Sequence, residues 1–246
     1  MARFFITGSS DGLGLLTAKK LISLGHTVVL HARNTQRAQD ASAACPGAEA
    51  VLTADLSSIS EIKSLASEAD KHGPYEAIIH NAGVYTDMSL SKDGYSTLFT
   101  VNVLAPWILT CLMKPPKRLV YISSGLHRQG RSKVITEDVK KSNYNDSKLV
   151  MTMLAKAVLR RGVVKEAYSV DPGWVPTKMG GSSATGDLQA AVDTFVKVAL
   201  GHTEGGKNGG YWFNGREEGT HPDAGDDKIQ NVVLEQLKEV TGLGIE

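Results

Sequence analysis

The chain has 246 residues, 41% of them hydrophobic, enough for one α/β unit with a substantial buried core. A formal net charge of +1 without any basic block argues against a nucleic-acid partner. No apolar run approaches the roughly 20 residues of a membrane span, and Cys45 and Cys111 lack ligand-like neighbours. The expectation is a cytoplasmic protein with two free thiols, no signal peptide, no disulfide and no metal.

In chain order, Phe4, Phe5 and Ile6 make a short apolar run suited to a buried parallel strand. Thr7 and Gly8 break it, and a turn of small residues leads to Gly12 and Gly14. A helix then follows, with Leu15, Leu16, Ala18, Leu21, Ile22 and Leu24 on its apolar face and Gly25 at its end. Strand, glycine turn and helix in this order form a phosphate site. The glycines let the backbone approach the oxygens, and the first free N–H groups of the helix meet the negative charge. A second strand over residues 27–32, a polar helix over 35–44 and a third strand over 48–53 come next. A helix capped by Ser57 or Ser58 runs to about Lys71, and a fourth strand covers 76–80.

A helix over 98–113 is expected to be irregular near Pro106, and Pro115 and Pro116 close it off. Residues 118–123 read as a fifth strand, 144–161 as a long helix and 166–170 as a sixth strand. Residues 211–213 form a short last strand, and 226–240 an amphipathic C-terminal helix with Ile229, Val232, Val233 and Leu237 on one side. Strict β–α alternation predicts a doubly wound parallel sheet of Rossmann type, a single domain over residues 1–246 with helices on both faces.

Ligands bind beyond the carboxyl ends of strands in such a sheet, so the residues after each strand carry the chemistry. They are the glycine turn, Arg33-Asn34, Asp55-Leu56, Asn81-Ala82-Gly83, Ser123-Ser124-Gly125 and Asp171-Pro172-Gly173. Tyr144 and Lys148 are four apart and share a helix face, and no other tyrosine has a lysine at that spacing. A free phenol has a pKa of about 10, and a nearby ammonium would favour its phenolate form. His80 reads as a strand-end residue with a backbone hydrogen bond. His31 reads as packing or as a residue near an adenine, Tyr211, Trp212 and Phe213 as core, and His127 as a pocket residue or packing.

Thr7, Gly8, Gly12 and Gly14 follow a TGxxxGxG spacing, which resembles the short-chain dehydrogenase/reductase family and not the GxGxxG of long-chain dehydrogenases. The resemblance extends in order from Phe4 to about Thr177. It implies an NADP(H)-dependent oxidoreductase that reduces a carbonyl, or oxidises the matching alcohol, by hydride transfer. Tyr144 would be the general acid/base and Ser124 would orient the carbonyl oxygen. Lys148 would bind the nicotinamide ribose, and Asn102, in VNVLAP, would position a water linked to Lys148. Gly8, Ser10, Asp11, Gly12, Leu13 and Gly14 would surround the phosphates, and Asp55 and Leu56 the adenine. Asn81, Ala82 and Gly83 would border the cofactor, with Pro172, Gly173, Val175 and Thr177 at its nicotinamide. Family members often pair through the helix carrying Tyr144, which implies a homodimer or homotetramer.

Two further features refine the reading. Ala32 stands where NAD-specific relatives place an acid, and Arg33 follows, so a 2′-phosphate would find space and a forked cation. Ser10 and Asn34 add neutral donors, while the carboxylate of Asp11 is a complication. The SSxxHRxG opening at Ser123, the ITEDVKKSNY stretch and the tail from Gly209 look like the retinol-dehydrogenase-like branch, implying an apolar substrate. Trp174, Val175, Met179 and residues 177–186 would form a lid. The competing reading is a catalytically silent dinucleotide-binding regulator or redox sensor. An intact Asn102, Ser124, Tyr144 and Lys148 set speaks against it.

Overall fold

The computed structural model describes residues 1–245. Eight strands form one sheet in the order β3-β2-β1-β4-β5-β6-β7-β8. They are β1 (Arg3–Ile6), β2 (Thr27–Ala32), β3 (Ala50–Thr53), β4 (Ala77–His80), β5 (Arg118–Ile122), β6 (Glu166–Asp171), β7 (Tyr211–Phe213) and β8 (Arg216–Glu218). All neighbours from β3 through to β7 pair in parallel, and only β8 turns back, antiparallel to β7. The helices are α1 (Gly12–Ser23), α2 (Thr35–Ala44), α3 (Ile59–Asp70), α4 (Thr97–Phe99), α5 (Ala105–Leu112), α6 (Ser132–Glu137), α7 (Tyr144–Arg160), α8 (Leu188–Leu200) and α9 (Asp227–Thr241).

The continuous apolar character of the central strands follows from burial on both faces. In β1, Phe4 and Ile6 point into one apolar cluster with residues of α1, α2 and α8. Phe5 points into the other, with residues of α3, α5, α7 and α9. The strand order reverses between β1 and β4, and the connections that follow them leave toward opposite faces of the sheet, which makes a crevice beyond the carboxyl ends. At the opposite end of the sheet Arg118, 2% exposed, is held by Glu166, Glu76 and the Ala199 carbonyl. That end is closed by an ion cluster. The carboxyl end is open.

Several elements depart from the sequence expectation. β3 starts at Ala50, because Ala48 belongs to the turn that follows Cys45. The irregularity expected at Pro106 lies before it, as a π-helical stretch over Thr100–Leu104, while Pro106 sits in the first turn of α5. Proline lacks an N–H, so the carbonyl four residues earlier, that of Asn102, has no α-helical donor and the coil widens. The strand-by-strand reading also passes over α8. Its Ala191, Val192, Phe195, Val196, Val198 and Ala199 are buried against the sheet. Residues 125–143 form short helical turns docked on the body, with Gln236 of α9 bonded to the backbone of Ile135, Thr136 and Val139. Among the described residues no helix is long and apolar enough to cross a membrane.

Candidate active site

A cleft of about 510 Å³ opens at the carboxyl ends of the strands. Its walls include the glycine loop, Arg33, Asp55, Leu56, Asn81, Ala82, Gly83, Tyr144, Lys148, Pro172 and Thr177. Ser124, Asn102, Gly173 and Val175 stand behind this lining, and Asn34 lines a separate depression beside it.

The glycine loop is held from three directions. The Asn81 amide group donates to the carbonyls of Thr7 and Gly8, and the Thr7 hydroxyl accepts from the amides of Asn81 and Ala82. Gly8 N–H donates to His31 Nδ1 at 2.9 Å, while His31 Nε2 meets the Ala54 carbonyl. Burial pushes His31 down to about 4, so it is a neutral ring that accepts from Gly8 and donates to Ala54. His31 thus anchors the loop besides lining the cleft. A Cβ on Gly14 would meet Asn81 Nδ2 at 2.6 Å and the Gly8 carbonyl at 2.7 Å, so only glycine lets helix and strand pack this closely. Gly12, at φ +53°, has only Thr177 within 4 Å of such a Cβ, and no side chain caps α1. A free helix N-terminus facing a glycine cradle suits a dinucleotide pyrophosphate.

Asp11 is not an isolated anion. Its Oδ2 accepts from Arg37 at 2.7 Å and from Lys178 at 3.0 Å, and burial opposes these pairs while their net effect lowers its pKa. Arg37 and Lys178 are site residues that the strand-end reading misses. Arg37 was detectable as a second arginine four residues beyond Arg33, whereas Lys178 arrives from a remote loop. Arg33 is exposed at the cleft. Asn34 does not face it: its Oδ1 caps α2 by accepting from the Arg37 amide. The Val175 side chain is 4% exposed.

At the other end of the cleft α7 starts in a capping box between Asn143 and Asp146, which fixes the first turn and therefore Tyr144. Lys148 Nζ lies 5.4 Å from the Tyr144 ring centroid and donates to the Ile122 carbonyl at 2.9 Å. Burial pushes Lys148 down to about 8 and Asp171 opposes that fall. Burial likewise pushes Tyr144 up to about 12, against a hydrogen bond from Ser124 that lowers it. Burial is the largest influence on the phenol and holds it above its ordinary range. Ser124 accepts from the Leu126 amide. Ser123 is fastened to α7 through the Lys148 carbonyl and Thr152, which leaves Ser124 as the serine at the phenol.

Asn102 sits in the π-helical stretch, clamped to both backbone polar groups of Val84 and donating to Ser147. A Cβ on Gly83 would stand 3.4 Å from Asn102 Oδ1 and 3.5 Å from Lys148 Nζ, so Gly83 is the gap between them. His127 is packing: it is fully buried, with its ring 4.5 Å from that of Tyr211, and is bonded to the Ser124 carbonyl and His221 amide. His80 stacks on Tyr121 and meets the Thr110 hydroxyl, not a backbone group. Tyr211 and Trp212 are core as expected. Asp171, 7% exposed, is a further group at this end that the sequence reading treated only as part of a strand-end turn.

Comparison with known proteins agrees with this architecture. The family model for short chain dehydrogenase matches residues 3–187. An uncharacterised oxidoreductase of Emericella nidulans is 45% identical over 253 residues, covering 100% of this chain and 99% of that protein. Retinol dehydrogenase 14 of Mus musculus is 28% identical over 207 residues, covering 71% of this chain and 61% of that one. Among solved structures, an uncharacterised protein from Mycobacterium paratuberculosis superposes with a TM-score of 0.79 at 23% identity, covering 100% of this chain and 95% of that one. A blue fluorescent protein from a metagenomic library, solved in complex with NADPH, superposes with a TM-score of 0.68 at 19% identity, covering 85% and 94%.

Proposed function

The chain belongs to the short-chain dehydrogenase/reductase family, in its retinol-dehydrogenase-like branch, and from that premise we propose that it is an NADP(H)-dependent carbonyl reductase or alcohol dehydrogenase acting on an apolar small molecule. One observation carries this reading: Tyr144 and Lys148 line one end of a cleft, with Ser124 bonded to the phenol from behind that lining, and the other end is a glycine cradle with arginines. When bound, the reduced cofactor supplies the hydride. Tyr144 then donates its phenolic proton to the carbonyl oxygen. Ser124 accepts from the Leu126 amide, and its hydroxyl, bonded to the Tyr144 phenol, would turn its hydrogen to the same oxygen. Lys148 spends one N–H on Ile122 and keeps two for ribose hydroxyls.

NADP(H) preference is supported by Ala32 and Arg33 at the end of β2, by the neutralisation of Asp11, and by the NADPH complex among the structural neighbours. The apolar substrate class is supported by Tyr85, whose ring meets that of Tyr144 edge-on at 4.7 Å, and by Met179 at the cleft wall. A homo-oligomer would have to form away from the face of α7 already covered by Val233, Leu234 and Leu237 of α9. The test is cofactor oxidation against a panel of aldehydes, ketones and quinones, with NADPH and NADH compared on the best of them. Turnover with kcat/KM favouring NADPH by about 10 to 10³-fold is expected. A chain that binds NADPH tightly but oxidises it with no carbonyl is not a reductase.

A further inference from the structure

Residues 174–186, between β6 and α8, are folded on themselves. The Gly186 amide closes the neck of this segment by donating to the Trp174 carbonyl at 2.7 Å. Inside it, Trp174 Nε1 donates to the Gly180 carbonyl at 2.9 Å, the Gly181 amide to the Thr177 carbonyl at 2.8 Å and the Gly180 amide to the Thr177 hydroxyl at 3.2 Å. None of its side chains belongs to either apolar cluster of the core, and Trp174 and Met179 are more than half exposed. Among the described residues a single hydrogen bond leaves the segment. Lys178 Nζ donates to Asp11 Oδ2 at 3.0 Å, in the glycine turn 167 residues earlier. Thr177 accompanies it, 3.9 Å from a Cβ built on Gly12. Asp11, Gly12, Thr177 and Lys178 all line the cleft, so this contact ties two parts of its wall to each other.

We propose that the Lys178–Asp11 pair is a latch for cofactor exchange: residues 174–186 move as one body, and the pair holds that body against the glycine turn, so that NADP(H) enters and leaves the phosphate end of the cleft when the pair is broken. A segment whose hydrogen bonds are internal keeps them when it swings away, so opening costs only its outward contacts. Here those are one ion pair and the touch of Thr177 on Gly12. The ends are fixed: Gly173 is held by Asp171 at the end of β6, and Asp187 caps α8. Asp11 is available for the task, because it stands at the N-cap position of α1 without capping it. Lys178 is 79% exposed, and an exposed pair is weak. That weakness suits a contact broken at every exchange. The segment is therefore retarded, not locked.

The inference rests on the reading of the cleft as a dinucleotide site. Its rival is that Lys178 serves only as a direct ligand of a cofactor phosphate, and the two differ in sign at Asp11. For a phosphate ligand, Asp11 competes with and repels the phosphate, so Asp11→Asn slows cofactor release while Lys178→Gln speeds it. For a latch, both variants speed release.

Two rates test it: release of NADPH, followed by stopped-flow fluorescence, and chymotryptic cleavage within residues 174–186 of the cofactor-free chain, which follows the population of the open segment. Lys178→Gln and Asp11→Asn should each raise both rates about two- to fivefold, the size of an exposed ion pair. The double variant should exceed neither single one, since both remove the same contact. Arg37→Gln takes away the other cation on Asp11 and leaves the latch, so its cleavage rate should stay at or below that of the wild type. Opposite effects of Asp11→Asn and Lys178→Gln on release overturn the latch in favour of a phosphate ligand. Equal cleavage in wild type and both single variants overturns it too, as does an Arg37→Gln chain cleaved as fast as Asp11→Asn. A chain that binds no NADPH overturns the dinucleotide reading and the gating role together, while the cleavage rates still report whether the pair holds the segment.

Discussion

The two ends of the cleft solve the same problem, placing charge next to a ligand, by opposite means. At the glycine loop, Asp11, Arg37 and Lys178 are 39%, 38% and 79% exposed and share one carboxylate oxygen between two cations. At the catalytic end Lys148 and Asp171 are 5% and 7% exposed, and nearly every polar group there has one fixed partner. Exposed charges are screened by water and salt, so several are needed and none is decisive. Buried charges act through a poor dielectric, so single groups set the chemistry and neighbouring ones are strongly coupled. The first end is redundant and the second is not.

Three variants sharpen or break that contrast. The largest effect is expected at Tyr144. Tyr144→Phe keeps the ring but removes the proton, and should lower carbonyl-reducing kcat by about 10² to 10⁴-fold while cofactor binding, followed by fluorescence, is preserved. A Phe variant with near-normal kcat would take Tyr144 out of the mechanism and erase the distinction between the two ends. Next comes cofactor choice. Ala32→Asp combined with Arg33→Ala puts a carboxylate where a 2′-phosphate would lie and removes its forked donor. The kcat/KM ratio of NADPH to NADH should fall by about 10 to 10³-fold, erasing or inverting the preference. A ratio that does not move would leave Arg33 as a solvated surface cation. Smallest is Asp11→Asn. Losing an exposed pair should change stability by less than about 1 kcal/mol, and any change in NADPH affinity should shrink as salt is raised from 0.05 to about 0.5 M. A large, salt-independent loss would mean that this end is as tightly built as the other.

The same contrast governs what can be read from residues alone. The glycine loop, the β2 end and the Tyr144–Lys148 spacing are local patterns, and each falls within a few residues of chain. Asn102 and Ser124 were legible as positions, but not how they are held. Asn102 reaches its place through a π-helical stretch that brings it to Val84 and Ser147, neither adjacent in sequence. Lys178 was silent and Asp171 was legible only as part of a strand-end turn, because their partners, Asp11 and Tyr211, are 167 and 40 residues away. His127 was ambiguous for the same reason, and its burial against Tyr211 and His221 decided the matter.

By itself, then, the sequence determined the alternation of strand and helix and most of the strand-end residues from which the cleft is built. These depend on periodicity, on glycine and proline backbone limits and on i,i+4 geometry, all short-range properties. Tertiary structure decided the protonation balance. Tyr144 lies high and Lys148 low because of how deeply each is buried, with Asp171 adding to the first shift and opposing the second. Desolvation and Coulomb interaction depend on distances through the folded interior, and those distances are set only when β5, β6, β7 and α7 are packed together.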